Sequence, residues 1–344
     1  MTSSRPVPRL LTAASSARLA YAALTRIQPG GETTWTRTNH RGEPVTLLEG
    51  PAVTIAAAAA VIAVPGLDTR EWLALGLAGA GAGAFGCYDD LAESGGRRGF
   101  RGHLGALARG EVTTGAIKLV GIGVTGLAAS LLLDRANRGE SGRRAGGRAA
   151  DVAINAGLVA GSANLMNLFD LRPGRAIKVS LLVSAALALR GPRARAAVAA
   201  PAGAAVALLP EDLGERAMLG DSGANALGAM LGVAAASSLP RPARLAVLGV
   251  VAGLTGASEK VSFTKVIART PPLHWLDMLG RRPAPATVAP GTVAPATVAP
   301  ATVAPATVAP APAAADPVIR PAGGMPLDGQ ASQTPAAADT PHPL

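Results

Sequence analysis

Eight stretches of this sequence run for 11 to 19 residues without a single Asp, Glu, Lys or Arg: 50–67, 72–88, 119–133, 152–169, 179–189, 196–210, 222–240 and 245–258. A helix crossing a bilayer core needs about 20 apolar residues, with roughly 17 as the lower bound. Four of the stretches reach that bound unaided. The rest can be extended by flanking cations that snorkel to the interface, Lys118 and Lys178 among them. Soluble amphipathic helices show a polar face at every turn, and these do not. The segments are rich in Gly, Ala and Ser, the residues that let helix backbones approach closely within a membrane. The reading is therefore an all-α, polytopic integral membrane protein with about 8–9 transmembrane helices. The segment Leu10–Ile27, with Arg18 and several hydroxyl residues, is a poor candidate for the ninth.

Composition agrees. Charged residues make up 16% of the 344, against about 25% in ordinary soluble domains. A lone cysteine, Cys87, excludes an internal disulfide and a Cys-rich metal centre, and four histidines leave little room for a zinc site. The net charge of +10 calls for acidic partners such as phosphates or anionic lipids. The cations are scattered along loops with no nucleic-acid-binding motif behind them, which argues against nucleic acid. From residue 283 onward the material changes. Half of the 28 prolines lie there, and five units ending in V-A-P close at Pro290, Pro295, Pro300, Pro305 and Pro310. Proline at every fifth residue interrupts any helix, so a disordered tail is expected. Three regions follow: 1–44, an N-terminal segment and first loop; 45–282, the membrane domain; 283–344, the tail.

Eight crossings impose a parity. The loops after the second, fourth, sixth and eighth stretches share a side with the N-terminus. Lys and Arg divide 21 to 11 in favour of that side, which the positive-inside rule makes cytoplasmic. Arg135, Arg138, Arg143, Arg144 and Arg148 go against the trend. The cytoplasmic side also collects the polar clusters. F-G-C-Y-D-D ends a stretch in Asp89 and Asp90, two adjacent carboxylates suited to a hard cation or to a stop in water. N-L-M-N-L-F-D sets Asn164, Asn167 and Asp170 on roughly one helix face, lining a polar cavity or bonding between helices, with Arg172 and Arg175 following. M-L-G-D-S-G-A-N-A-L-G places Asp221 among small residues, either as a ligand-binding carboxylate or as a helix cap.

Together, in this order, the three motifs resemble those of the polyprenyl-phosphate N-acetylhexosamine-1-phosphate transferases, the family that includes phospho-N-acetylmuramoyl-pentapeptide transferase. T-N-H-R-G-E-P, Thr38 to Pro44, looks like that family's first cytoplasmic loop. The resemblance spans about Asn39 to Gly228. It implies a magnesium-dependent transferase of the cell membrane, with its active site on the cytoplasmic face. A sugar 1-phosphate would pass from a UDP-sugar to polyprenyl phosphate, releasing UMP, in envelope glycan synthesis. By the same resemblance Asp89, Asp90 and Asp170 are the expected catalytic residues, and Asp221 with Asp90 the expected Mg2+ ligands. His40, Arg41, Lys118, Asn164, Asn167, Arg172, Arg175 and Lys260 are the expected substrate contacts. Two departures stand out. Leu171-Arg172-Pro173-Gly174 follows Asp170 where the family has a second Asp, and Ser258 to Lys265 has no histidine where the family carries several. The other readings are a non-catalytic relative that binds lipid phosphate or scaffolds envelope enzymes, and an unrelated transporter or channel. The oligomeric state is open, a homodimer included.

Overall fold

In the computed structural model the described residues are 6–62, 67–92, 113–136 and 145–283, all within the compact unit formed by residues 1–285. The proline-rich tail, apart from Pro283, and four of the five outlying arginines (Arg135 by its side chain, Arg138, Arg143 and Arg144) lie outside them.

The described chain is mostly helical. A 22-residue α1 (Pro6–Ile27) leads through one turn of helix, α2 (Glu32–Trp35), into a small antiparallel hairpin, β1 (Thr36–Thr38) and β2 (Pro44–Thr46). Then follow α3 (Glu49–Ile62), α4 (Thr69–Ala92), α5 (Thr114–Ala136), α6 (Ala145–Phe169), α7 (Arg175–Ala188), α8 (Pro192–Leu213), α9 (Gly220–Ser238) and α10 (Arg241–Ser258). Two short helices, α11 (Phe263–Arg269) and α12 (Pro271–Met278), close the described chain.

Each uncharged stretch falls largely within one helix, yet they are not equivalent. Among the described residues three helices are long and apolar enough to cross a membrane, at Thr114–Asp134, Gly146–Phe169 and Pro192–Leu213, and the bent pair α10–α11 would make four. The expectation of eight or nine crossings is met only to that extent. Helix α7 has fourteen residues, about 21 Å at 1.5 Å per residue and short of a hydrocarbon core of about 30 Å. Beyond Asp221, helix α9 lacks charge for another reason: sixteen of its nineteen residues are buried inside the protein. A helix that is apolar all round can be wrapped by protein as well as by lipid. The outer helices do present apolar faces outward. On α5, Val120, Val124, Leu127 and Leu131 are exposed at helical spacing while Ile122, Ala129 and Leu133 face the core, the pattern suited to lipid rather than water.

Helix α9 is the hub, packed against α3, α4, α6, α7 and α8. Its small residues permit this. A methyl group at Gly86 of α4 would strike the Asp221 carbonyl, and one at Gly50 of α3 would strike the Leu219 carbonyl. The poor candidate Leu10–Ile27 is part of a continuous helix. It buries Ala13 and Ala17, lies close to Gly203 of α8, and pairs Arg18 with Glu211 at 2.7 Å.

Candidate functional site

The ends of α4, α6 and α8 and the starts of α3, α5, α7 and α9 meet at one end of the bundle, under the β-hairpin. Between them lies a cavity of about 680 Å³. Side chains of both charges line it. Asp89, Asp90, Asp170, Asp212, Glu215 and Asp221 supply the acids; Arg37, His40, Lys118 and Arg172 supply the cations.

Lys118 stands one turn into α5, with its Nζ 2.6 Å from Asp89 Oδ2 and also bonded to Asp221 Oδ2. One ammonium thus joins carboxylates from α4 and α9. Asp90, next to Asp89, points instead at the start of α9. Its Oδ1 accepts the Asp221 N–H at 3.0 Å and its Oδ2 the Ser222 N–H at 2.9 Å. Asp170 takes the Gly220 N–H. The first N–H groups of a helix have no partner within it. Here three in succession are met by carboxylates from two other helices, so the cap of α9 comes from Asp90 and Asp170 and not from Asp221 itself. Gly220 reaches this position with φ 62°, a left-handed conformation that favours glycine. Burial, and then the negative neighbours Asp212, Asp221 and Asp90, push the Asp170 carboxyl well above the usual range.

The rim is organised by Glu215, a residue the motifs did not single out. Its backbone is left-handed, φ 55°. Its carboxylate accepts Asn39 Nδ2 at 2.9 Å, pairs with Arg41 Nε at 2.9 Å and faces His40 Nδ1 at 3.7 Å. One buried acid therefore sets three consecutive residues of the T-N-H-R loop. Partial burial lowers the His40 pKa against the opposing pull of Glu215, and Arg172, Arg281 and Arg41 add to the lowering, so the imidazole is neutral near pH 7. Arg41 also donates to the carbonyls of Arg282 and Pro283, at 2.8 Å each.

The expected site residues fall into two groups. Asp89, Asp90, Asp170, Asp221, Lys118, Asn167, Arg172 and His40 all line the cavity, and Arg41 braces its rim. Asn164, Arg175 and Lys260 are not among its lining residues. Arg175 is buried in a two-point ion pair with Asp277, at 2.7 and 3.0 Å, and also donates to Thr264. Lys260 is exposed after α10. Besides Glu215, the sequence reading missed Asp212, whose Oδ2 accepts the Gly174 N–H at 3.0 Å, and Arg37, which donates to the Asp90 carbonyl. A signal was present: Glu211, Asp212 and Glu215 crowd one short loop on the side that holds the other clusters.

Among the described residues no three His, Cys, Asp or Glu side chains stand close enough to hold a metal by themselves. Magnesium does not require three, since one or two carboxylates are commonly completed by substrate phosphates and water. The expected partner of Asp221, Asp90, has both oxygens on the start of α9; Asp89 and Asp221 form such a pair instead, and they already converge on one cation, the Lys118 ammonium. These hard oxygen donors fit the ion.

No family model and no curated protein matches the sequence.

Proposed function

We propose that the chain is a membrane-embedded transferase that moves an N-acetylhexosamine 1-phosphate from a UDP-sugar to polyprenyl phosphate at the cytoplasmic face, releasing UMP. The observation that carries this reading is the meeting of Asp89, Lys118, Asp170 and Asp221, distant in sequence, around one cavity at the end of an apolar bundle. Carboxylates and cations lining one cavity suit a cation–polyphosphate ligand: the acids attract the ion, and Arg37 and Arg172 attract the phosphates.

In the reaction the lipid phosphate oxygen attacks the sugar-bearing phosphorus of the donor. A new phosphoanhydride forms as the bond to UMP breaks. Asp221 and Asp89 would hold magnesium, which when bound neutralises the donor pyrophosphate. Lys118 then contacts the lipid phosphate from the position it shares with both carboxylates. Asp90 sets the start of α9 and with it the direction of Asp221. Asp170 carries a proton more readily than an ordinary carboxyl and so tolerates the approach of phosphate. Arg172, Arg37 and neutral His40 line the rim where the nucleotide phosphates and base would lie, while Glu215 holds the loop that presents His40.

The test is UMP release by the purified chain supplied with magnesium, polyprenyl phosphate and a panel of UDP-sugars. Release with one donor, lost on removal of magnesium, supports the reading. Binding of polyprenyl phosphate without binding of any UDP-sugar overturns it in favour of a non-catalytic lipid-phosphate protein.

A further inference from the structure

Past Ser258 the chain turns through 99° from α10 into α11. The segment beyond the turn has two unlike sides. Outward, Val261, Val266, Leu273, Trp275, Met278 and Leu279 are 41 to 66% exposed. Among them stand the exposed cations Lys260, Lys265 and Arg269, with Glu259 the one exposed acid of the segment. Six large apolar side chains bared within twenty residues are out of place on a surface that meets only water. Mixed with cations they have the composition of a segment lying in a membrane interface: apolar groups and an indole reach the acyl boundary, and Lys and Arg meet lipid phosphates.

The turn supplies the orientation. Helix α10 bares Leu245, Val250 and Leu254. A helix with that face upright in a bilayer leaves α11 nearly parallel to the membrane surface. The inward side of the segment grips the Phe169–Arg175 turn and the start of α7, beside the candidate site. The Phe263 ring stacks on Phe169 with centroids 5.2 Å apart. Thr264 accepts from Arg175, Asp277 pairs with Arg175, and Lys178 donates to the carbonyls of Leu276 and Asp277. Phe169 immediately precedes Asp170.

We infer that α11–α12 is an interfacial element that docks on the anionic lipids of the surrounding leaflet, and that this docking steadies the Phe169–Arg175 turn carrying Asp170. The occupant is a lipid surface because the exposed charge is positive and lies beside apolar groups on a segment perpendicular to an apolar helix. The inference stands apart from the transferase reading, since docking is measured without turnover.

The experiment uses the full chain with Cys87→Ala and His274→Cys, labelled with bimane at the new thiol. It is reconstituted in phosphatidylcholine vesicles and in vesicles containing about one third phosphatidylglycerol, each with lipids brominated either near the headgroup or near the chain ends. Shallow bromines are expected to quench more than deep ones, at least about twofold more strongly with phosphatidylglycerol present. The Lys260→Ala, Lys265→Ala, Arg269→Ala triple variant should lose that dependence. Amide hydrogen exchange on the unmodified chain in nanodiscs is the companion measurement: residues 263–278 and the Phe169–Arg175 turn should both exchange more slowly in the anionic lipid. Absence of quenching, stronger quenching by deep bromines, or equal quenching and exchange in both lipids would each overturn the inference.

Discussion

Lys118 Nζ lies 2.6 Å from Asp89 Oδ2 while the same nitrogen bonds Asp221, so the two acids share one counter-charge. Lys118→Met leaves the pair facing each other without it. All three side chains are largely buried, and breaking such a pair should cost about 2–4 kcal/mol of stability. Thermal unfolding in detergent measures this. Adding Asp221→Asn should restore most of the loss, because the repulsion is gone, but should not restore magnesium-dependent UMP release. An unchanged unfolding temperature in Lys118→Met alone would show that the ammonium does not hold the two helices.

Asp90 acts on α9 through both oxygens. Asp90→Asn keeps one acceptor and turns an amide NH2 toward a backbone N–H. The cost should be about 1–2 kcal/mol, the scale of a lost helix cap, and Asp90→Ala should cost more. Turnover should fall in both, because Asp221 takes its direction from this cap. Equal unfolding temperatures for Asp90→Asn and the unmodified chain would contradict the capping role.

Asp170 gives a pH signature. An acid whose folded-state pKa is raised favours folding fully only below its unfolded value, and that contribution is lost as pH rises through the folded value. Asp170→Asn keeps an acceptor for the Gly220 N–H and removes the charge. It should match the unmodified chain near pH ~4 and become progressively more stable than it as pH rises. Unfolding temperatures across that range decide it. A gap that closes toward neutral pH would mean that Asp170 is stabilised as an anion.

The positions of the helices were legible because charge-free runs are long and their flanks polar. What each helix meets was not. The run 222–240 and the run 119–133 look alike in composition, yet α9 is wrapped by protein while α5 bares Val120 and Val124. The carboxylates of the three motifs were findable as acids at the ends of apolar runs. Arg175 was not placed, because a neighbour in sequence says nothing about direction: its side chain turns from Arg172 toward Asp277, 102 residues on. Glu215 escaped because its role depends on a left-handed backbone and a buried carboxylate; the crowding of Glu211, Asp212 and Glu215 marks the region but does not say which acid holds the T-N-H-R loop.

Glu215→Gln should loosen the loop that carries His40. The amide can still accept from Asn39, but Arg41 loses its charged partner. Donor binding by calorimetry should weaken at least tenfold, about 1.4 kcal/mol, with polyprenyl phosphate binding less affected. Unchanged donor affinity would separate the T-N-H-R loop from the nucleotide.

Arg175→Ala removes a buried two-point ion pair and strands Asp277, a loss of about 3–5 kcal/mol. Arg281, 2.8 Å from Asp277 on its other side, offsets part of this. The fastest rise in hydrogen exchange should fall in residues 263–278. A rise confined to α7 would show that Asp277 is held by Arg281 and Lys178 without Arg175.

The carboxylate cap of α9 also bears on the order of events during synthesis. Asp90 and Asp170 leave the ribosome well before Gly220, Asp221 and Ser222. Until the late helix arrives, the early acids lack the N–H groups that will bind them, and α9 lacks the partners that close its first turn. Helix α9 enters a ring whose other members, α3, α4, α6, α7 and α8, precede it in the chain. Closing that ring and assembling the cavity are therefore a single event, and a nascent chain stalled before residue 220 carries every other helix of the ring without a finished site.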